Sequence, residues 1–218
     1  MKYTIKKIID KAYVIQCDHR YDLCMLFLRY QEYYESPNPE FRGKAFELLD
    51  YMEWYSKDKD GFFSYPIDWN GFNLSSKVID EVSELGIPDY NKYDEEMEHI
   101  HGKLKQEVGG DYYLIGIFSD PDNQADIDET LNHELAHALY YLFPEYKKEM
   151  DELINNLPSL MIALFNDWLG YLGYTQSVFV DEMQAYISTG FEADLANEYL
   201  CYTEPFEKVF EKYKESSK

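Results

Sequence analysis

Positive charge is scarce in this chain: 20 Lys and Arg stand against 42 Asp and Glu in 218 residues, a formal net charge of −22. A nucleic-acid partner is not expected, because phosphates would be repelled at long range. Cysteine is scarce too. Cys17, Cys24 and Cys201 form no CxxC pair and leave an odd thiol, which argues against a disulfide framework and suits a reduced, cytoplasmic setting. Long apolar runs are missing. The longest, Leu23 to Leu28, is far below the roughly 20 residues that cross a bilayer. The first residues, Met1-Lys2-Tyr3-Thr4-Ile5-Lys6-Lys7, carry Lys among apolar residues and lead to no small-residue cleavage site. We therefore expect a soluble protein with no membrane partner and no secretory signal; nothing here speaks to oligomeric state.

Aromatic residues, by contrast, are abundant. With 22 Tyr, 13 Phe and a hydrophobic fraction of 45%, the chain can fill a core and line a cleft with rings, which excludes disorder as the main state.

The segment that names a chemistry is Thr130-Leu131-Asn132-His133-Glu134-Leu135-Ala136-His137-Ala138-Leu139. Its HELAH centre is an HExxH pattern. Positions i and i+4 of a helix lie one turn apart on nearly the same face, so His133 and His137 can grip one ion. Glu134 points about a quarter turn away, which suits a general base acting on a water held at that ion. Such a pattern arises by accident on the order of once in a hundred chains with this many histidines. Leu131, Leu135, Ala138 and Leu142 recur at helical spacing as an apolar stripe, Asp126 with Glu129 reads as a capping box, and Pro144 disfavours helix at Phe143. A buried helix over about Ile127 to Leu142 is expected.

On these residues the chain resembles the zincin metallopeptidases. The metzincin extension is absent, because neither the glycine nor the third histidine follows His137 and no later histidine exists. The resemblance therefore turns to gluzincins, whose third ligand is a Glu on a later helix. Val180-Asp181-Glu182-Met183-Gln184-Ala185-Tyr186 carries a matching Glu182-x-x-Ala185, which implies Glu182 as ligand and Ala185 as the small residue that lets the two helices pack closely. Asp181, Glu192 and Asp194 are rival ligands. Several gluzincins place an Asp four residues after the ligand Glu to orient the first histidine; here that position is Tyr186, so Asp181, Asp167 or a backbone carbonyl must serve instead. His99 and His101 form a separate HxH that either ligates a metal near the cleft or sits on an ordinary helix.

Around the motif, residues 2 to 17 suit one or two short strands, and Asp22 to Glu35 and Glu40 to Ser56 read as an antiparallel pair of helices broken at Ser36-Pro37-Asn38-Pro39. Asp58 to Asn73 mixes turn residues with rings, as an irregular loop or as a wall of the cleft. Helices are expected at Leu74 to Leu85, Asp94 to Val108, Glu145 to Leu157, Leu160 to Leu172, Val180 to Thr189 and Phe206 to Lys214. Tyr112 to Phe118 reads as a strand, and its place before the motif helix implies, by the resemblance, the strand along which a zincin pairs with an extended peptide. The whole is read as α+β, mainly helical, zincin-like with a small sheet beside the motif helix. One domain over 1–218 is expected, with an N-terminal helical part (about 1–108) and a metal-site core (about 109–190).

The function expected is zinc-dependent hydrolysis of a peptide or protein substrate. His133, His137 and Glu182 would hold one Zn²⁺ and Glu134 would accept the proton of water. Tyr186, one turn from Glu182, is the first choice of oxyanion donor, with Tyr174, Tyr202, His99 and His101 as others. Two His and a carboxylate also suit a non-haem Fe²⁺ hydroxylase, or a metal-binding protein without catalysis.

Overall fold

A computed structural model describes residues 1–119, 124–190 and 193–217, with side chains described for all of these except 193–200. Its architecture is α+β and mainly helical, around one small mixed sheet. β1 (Tyr3–Ile9) and β2 (Ala12–Cys17) form an antiparallel hairpin. β3 (Gly71–Ser75) and β4 (Tyr113–Phe118) complete the order β1-β2-β4-β3, with β4 parallel to β2 and antiparallel to β3.

Strand periodicity explains why helices cover both faces. On β2 and β4, Ala12, Val14, Tyr113, Ile115 and Ile117 point into one core, while Tyr13, Ile15, Cys17 and Leu114 point into another. A strand pair apolar on both faces must be covered on both. The second core is closed by α1 (Arg20–Glu35), α2 (Leu48–Ser56), α3 (Tyr65–Asp68), α4 (Ser76–Leu85) and α5 (Lys92–Val108). α1 approaches so closely that a Cβ on Gly116 would stand 2.5 Å from the Phe27 ring. The first core belongs to α6 (Gln124–Leu142), α7 (Pro144–Asn155), α8 (Ser159–Leu172), α9 (Phe179–Thr189) and α10 (Ala193–Ser216). No helix among the described residues is long and apolar enough to cross a membrane.

Several expectations need correction. The helix expected from Glu40 begins only at Leu48, because Gly43 takes φ +71° and the amide of Leu48 is claimed by the Asp89 carboxylate at 2.8 Å. The motif helix begins by Gln124, so Asp126 lies in its first turn and is not a cap. Gly71 to Ser75 is a strand, where a loop running into a helix was expected. That strand matters most: β4 is paired on both sides, so it has no free edge for a peptide, and the strand beside the motif helix with an open edge is β3.

Candidate metal centre

α6 carries the motif as its periodicity required. Leu135, Ala138 and Leu139 are buried in the core and Leu131 and Leu142 pack against it, which turns His133, Glu134 and His137 toward α9 and β3. Ala185 on α9 is fully buried in the same core as Ala136 and Ala138. Small residues on both helices let them approach, and Glu182 reaches the histidines.

The His133 and His137 Nε2 atoms are 3.2 Å apart, and the Glu182 carboxylate lies 3.6 Å from the first and 3.7 Å from the second. Four tetrahedral donors at about 2.0–2.1 Å from an ion stand about 3.3 Å from one another, so the three groups are spaced as ligands. Glu182 is only 4% exposed and its Oε2 accepts no hydrogen bond. A buried carboxylate oxygen without a donor is costly, and a cation is the partner that would satisfy it. Among the described residues this is the one cluster of three metal-ligating groups so placed. Glu192 and the side chain of Asp194, the more distant rivals, lie outside what is described.

Asp181, the nearer rival, has another task. Its Oδ1 pairs with His137 Nδ1 at 2.9 Å and accepts from the Gln184 amide at 3.0 Å; Gln184 in turn accepts from the Tyr146 hydroxyl at 2.9 Å. This carboxylate orients the second histidine, and Asp167 sits exposed on α8. Burial by itself would lower the His137 pKa, but the Asp181 and Glu182 carboxylates reverse that and hold it near 10, so the metal-free imidazole is a cation.

Glu134 is fixed from the other side of the cleft. Its Oε2 accepts from Asn73 Nδ2 on β3 at 2.7 Å, and Asn73 Oδ1 accepts from the Tyr113 hydroxyl. A Cβ on Gly71 would stand 2.3 Å from Glu134 Oε1, so only glycine lets the strand come this near. Burial raises the Glu134 pKa, opposed by His133, His137 and the Asn73 bond. The carboxylate is thus held beside the two histidines by a hydrogen bond from the opposite wall.

Tyr174 and Tyr186 stand beyond His133. Their hydroxyls are 3.3 Å apart, and the Tyr186 ring lies 4.5 Å from the His133 ring. Burial holds the Tyr174 hydroxyl well above its ordinary pKa, so it remains a donor. Both line a cavity of about 730 Å³ with His133, Glu134 and Gly71. The other donor candidates do not reach it. His101 Nδ1 pairs with the Tyr112 hydroxyl at 2.7 Å and Nε2 with Asp80 at 3.0 Å, while His99 is exposed on α5 and Tyr202 packs along α10.

Asn73, Gly71 and Tyr113 were not anticipated as site residues. Their signal was the alternation of Phe72 and Leu74 with Gly71, Asn73 and Ser75, obscured by the turn residues before it. Glu35, at the end of α1, was missed as well: burial first and the nearby Glu182 charge next push its pKa up to about 8. An acid with a folded pKa above its unfolded one loses stability as pH rises from about 4.5 toward 8, because the unfolded chain ionises first. Glu35→Gln, which can keep its bond to Gln31, should stabilise the metal-free protein by up to about 4 kcal/mol at pH 8 and by less than about 1 kcal/mol at pH 5. Urea melts at the two pH values check this; equal gains would show that Glu35 is not held neutral. No protein-family model, no curated protein and no solved structure matches the chain, so the reading of this site rests on its own geometry.

Proposed function

We propose that the chain is a zinc-dependent peptidase of the zincin type, with His133, His137 and Glu182 as metal ligands and Glu134 as general base. The observation that carries this reading is the division of labour among buried groups. Three donors converge at ligand spacing, and the fourth, Glu134, is held off them by a strand on the opposite wall. A structural metal site has no use for such a base. Bound Zn²⁺ supplies a Lewis acid and water of near-neutral pKa.

The chain's own groups account for the rest. Glu134 accepts a proton from the attacking water and returns it to the leaving amine, so the hydroxide ends on the new carboxyl and the proton on the new amine. Asn73 and Tyr113 hold the carboxylate oxygen toward the cleft. The Tyr186 and Tyr174 hydroxyls face the same cavity and are the donors for the tetrahedral oxyanion. The free edge of β3 offers backbone groups to an extended peptide, the role the sequence assigned to β4.

Elemental analysis of protein purified without a metal-affinity tag, beside His133→Ala, tests the metal. One equivalent of zinc, lost in the variant, is expected; stoichiometric iron would instead favour a hydroxylase. Gly71→Ala tests the base. The added methyl must displace Glu134, and a misplacement of this kind is expected to lower kcat by about 10²-fold with zinc content unchanged. Unchanged turnover would mean that Glu134 need not sit against β3.

A further inference from the structure

We propose that the cavity of about 380 Å³ on the far side of Asn73 binds a large apolar or aromatic side chain N-terminal to the scissile bond, and that the protein is an endopeptidase of extended chains. This rests on the peptidase reading above and adds what that reading leaves open: which chains enter, and how they lie. Asn73, which holds Glu134, and Asp181, which holds His137, both stand in the cavity wall. The cavity therefore begins one side chain from the reacting groups. Its volume lies within the range of about 300–1,000 Å³ that holds ligands.

One strand joins the two cavities. Gly71 lines the larger and Asn73 to Ser75 the smaller. At about 3.4 Å per residue, β3 covers about 14 Å, so a peptide paired along it places residues on both sides of Glu134. Antiparallel pairing, the more stable kind, runs that peptide from the Ser75 end to the Gly71 end. The residues before the scissile bond then fall in the smaller cavity.

The lining selects a ring. Leu74 and Val78 are its buried floor, while Tyr34 at 47% and Val180 at 45% are large apolar residues left exposed at its rim. Neither charge in its wall is free for a chain terminus. The Lys147 ammonium sits 3.6 Å from the Tyr140 ring centre and 3.7 Å from Asp151, and Asp181 is engaged with His137 and Gln184. At the other end, Lys59 is bridged to Asp68. Among the described residues that line the two cavities, no cation is left unengaged for a carboxylate and no anion at the N-terminal end for an amine, so recognition has to come from backbone pairing and an apolar side chain.

The test uses decapeptides of Ala, Ser and Gly with one Phe moved along the chain, made in one set with acetylated and amidated ends and in a second set with free ends. Cleavage by the zinc-loaded protein is mapped by mass spectrometry, and binding to Glu134→Gln is followed by fluorescence anisotropy. Internal cutting on the C-terminal side of Phe is expected, at least about tenfold faster than for the Phe-free peptide. Tyr34→Ala, at the exposed rim of the cavity, should remove most of that preference, bringing kcat/KM and binding for the Phe peptide down toward those of the Phe-free peptide measured on the same variant. Cutting that needs a free terminus, or that favours Phe after the scissile bond, overturns the inference and leaves the peptidase reading standing. A zinc-loaded protein that neither cuts nor binds any of these peptides overturns both.

Discussion

Glu134→Gln is expected to keep its zinc and lose hydrolysis, with kcat down by about 10²–10⁴-fold. Glu134 lies outside the ligand set, so the metal loses no donor. The amide is nearly the same shape but is a poor base. Geometry also predicts which way the new amide points. Asn73 donates to this position through Nδ2 while its Oδ1 accepts from Tyr113, so Asn73 cannot turn round without breaking that bond. The glutamine oxygen must take the place of Oε2. The variant should therefore fold, and replacing a carboxylate buried beside Glu182 by a neutral group should not destabilise the metal-free protein. Metal analysis, a thermal melt and a peptide assay on one preparation decide it. Turnover near that of the unaltered chain would end the general-base assignment whatever metal is bound.

Glu182→Ala should act on the metal instead. With Glu182 gone, His133 and His137 alone remain as donors at ligand spacing. Loss of a group behind a ligand costs about 10–100-fold in affinity, so loss of the ligand should cost more than about 100-fold. Asp181→Asn, which weakens only the partner of His137, should fall within that smaller range. The stability of the metal-free protein should respond differently. Glu182 is buried with an oxygen that nothing satisfies, and its charge raises the pKa values of Glu134 and Glu35. Its removal relieves that oxygen but also takes a carboxylate from the His137 cation, so the empty protein should change little in stability while the further gain that zinc provides is abolished. Thermal shifts with and without zinc separate the two effects. Full zinc retention would move the third ligand to Asp181, or to Glu192 or Asp194.

Residues a few positions apart carried much of this site into the sequence. His133 and His137 had to share a face because a helix turn is 3.6 residues, and Leu135 and Ala138 had to turn that face inward because they are apolar at the same period. Helix ends at Gly86 and Gly109 and the short apolar run of β4 were legible for the same reason. Glu182 was reached only through the resemblance to gluzincins, since nothing local ties it to a histidine 45 positions earlier.

What local pattern could not decide was which strand stands at the edge of the sheet. β3 reads weakly because Asn70 and Gly71 resemble a turn, yet its pairing with β4 brings Asn73 to a carboxylate 61 positions away. That pairing buries β4, leaves β3 at the sheet edge, and makes Gly71 a contact of Glu134. Asp181 likewise met His137 Nδ1 only through the packing of α9 on α6. Periodicity is a property of neighbours in the chain, so the sequence could determine the motif helix and the face that His133 and His137 share. Strand order and helix packing depend on contacts between distant segments, and only the tertiary structure could set the wall that faces those side chains.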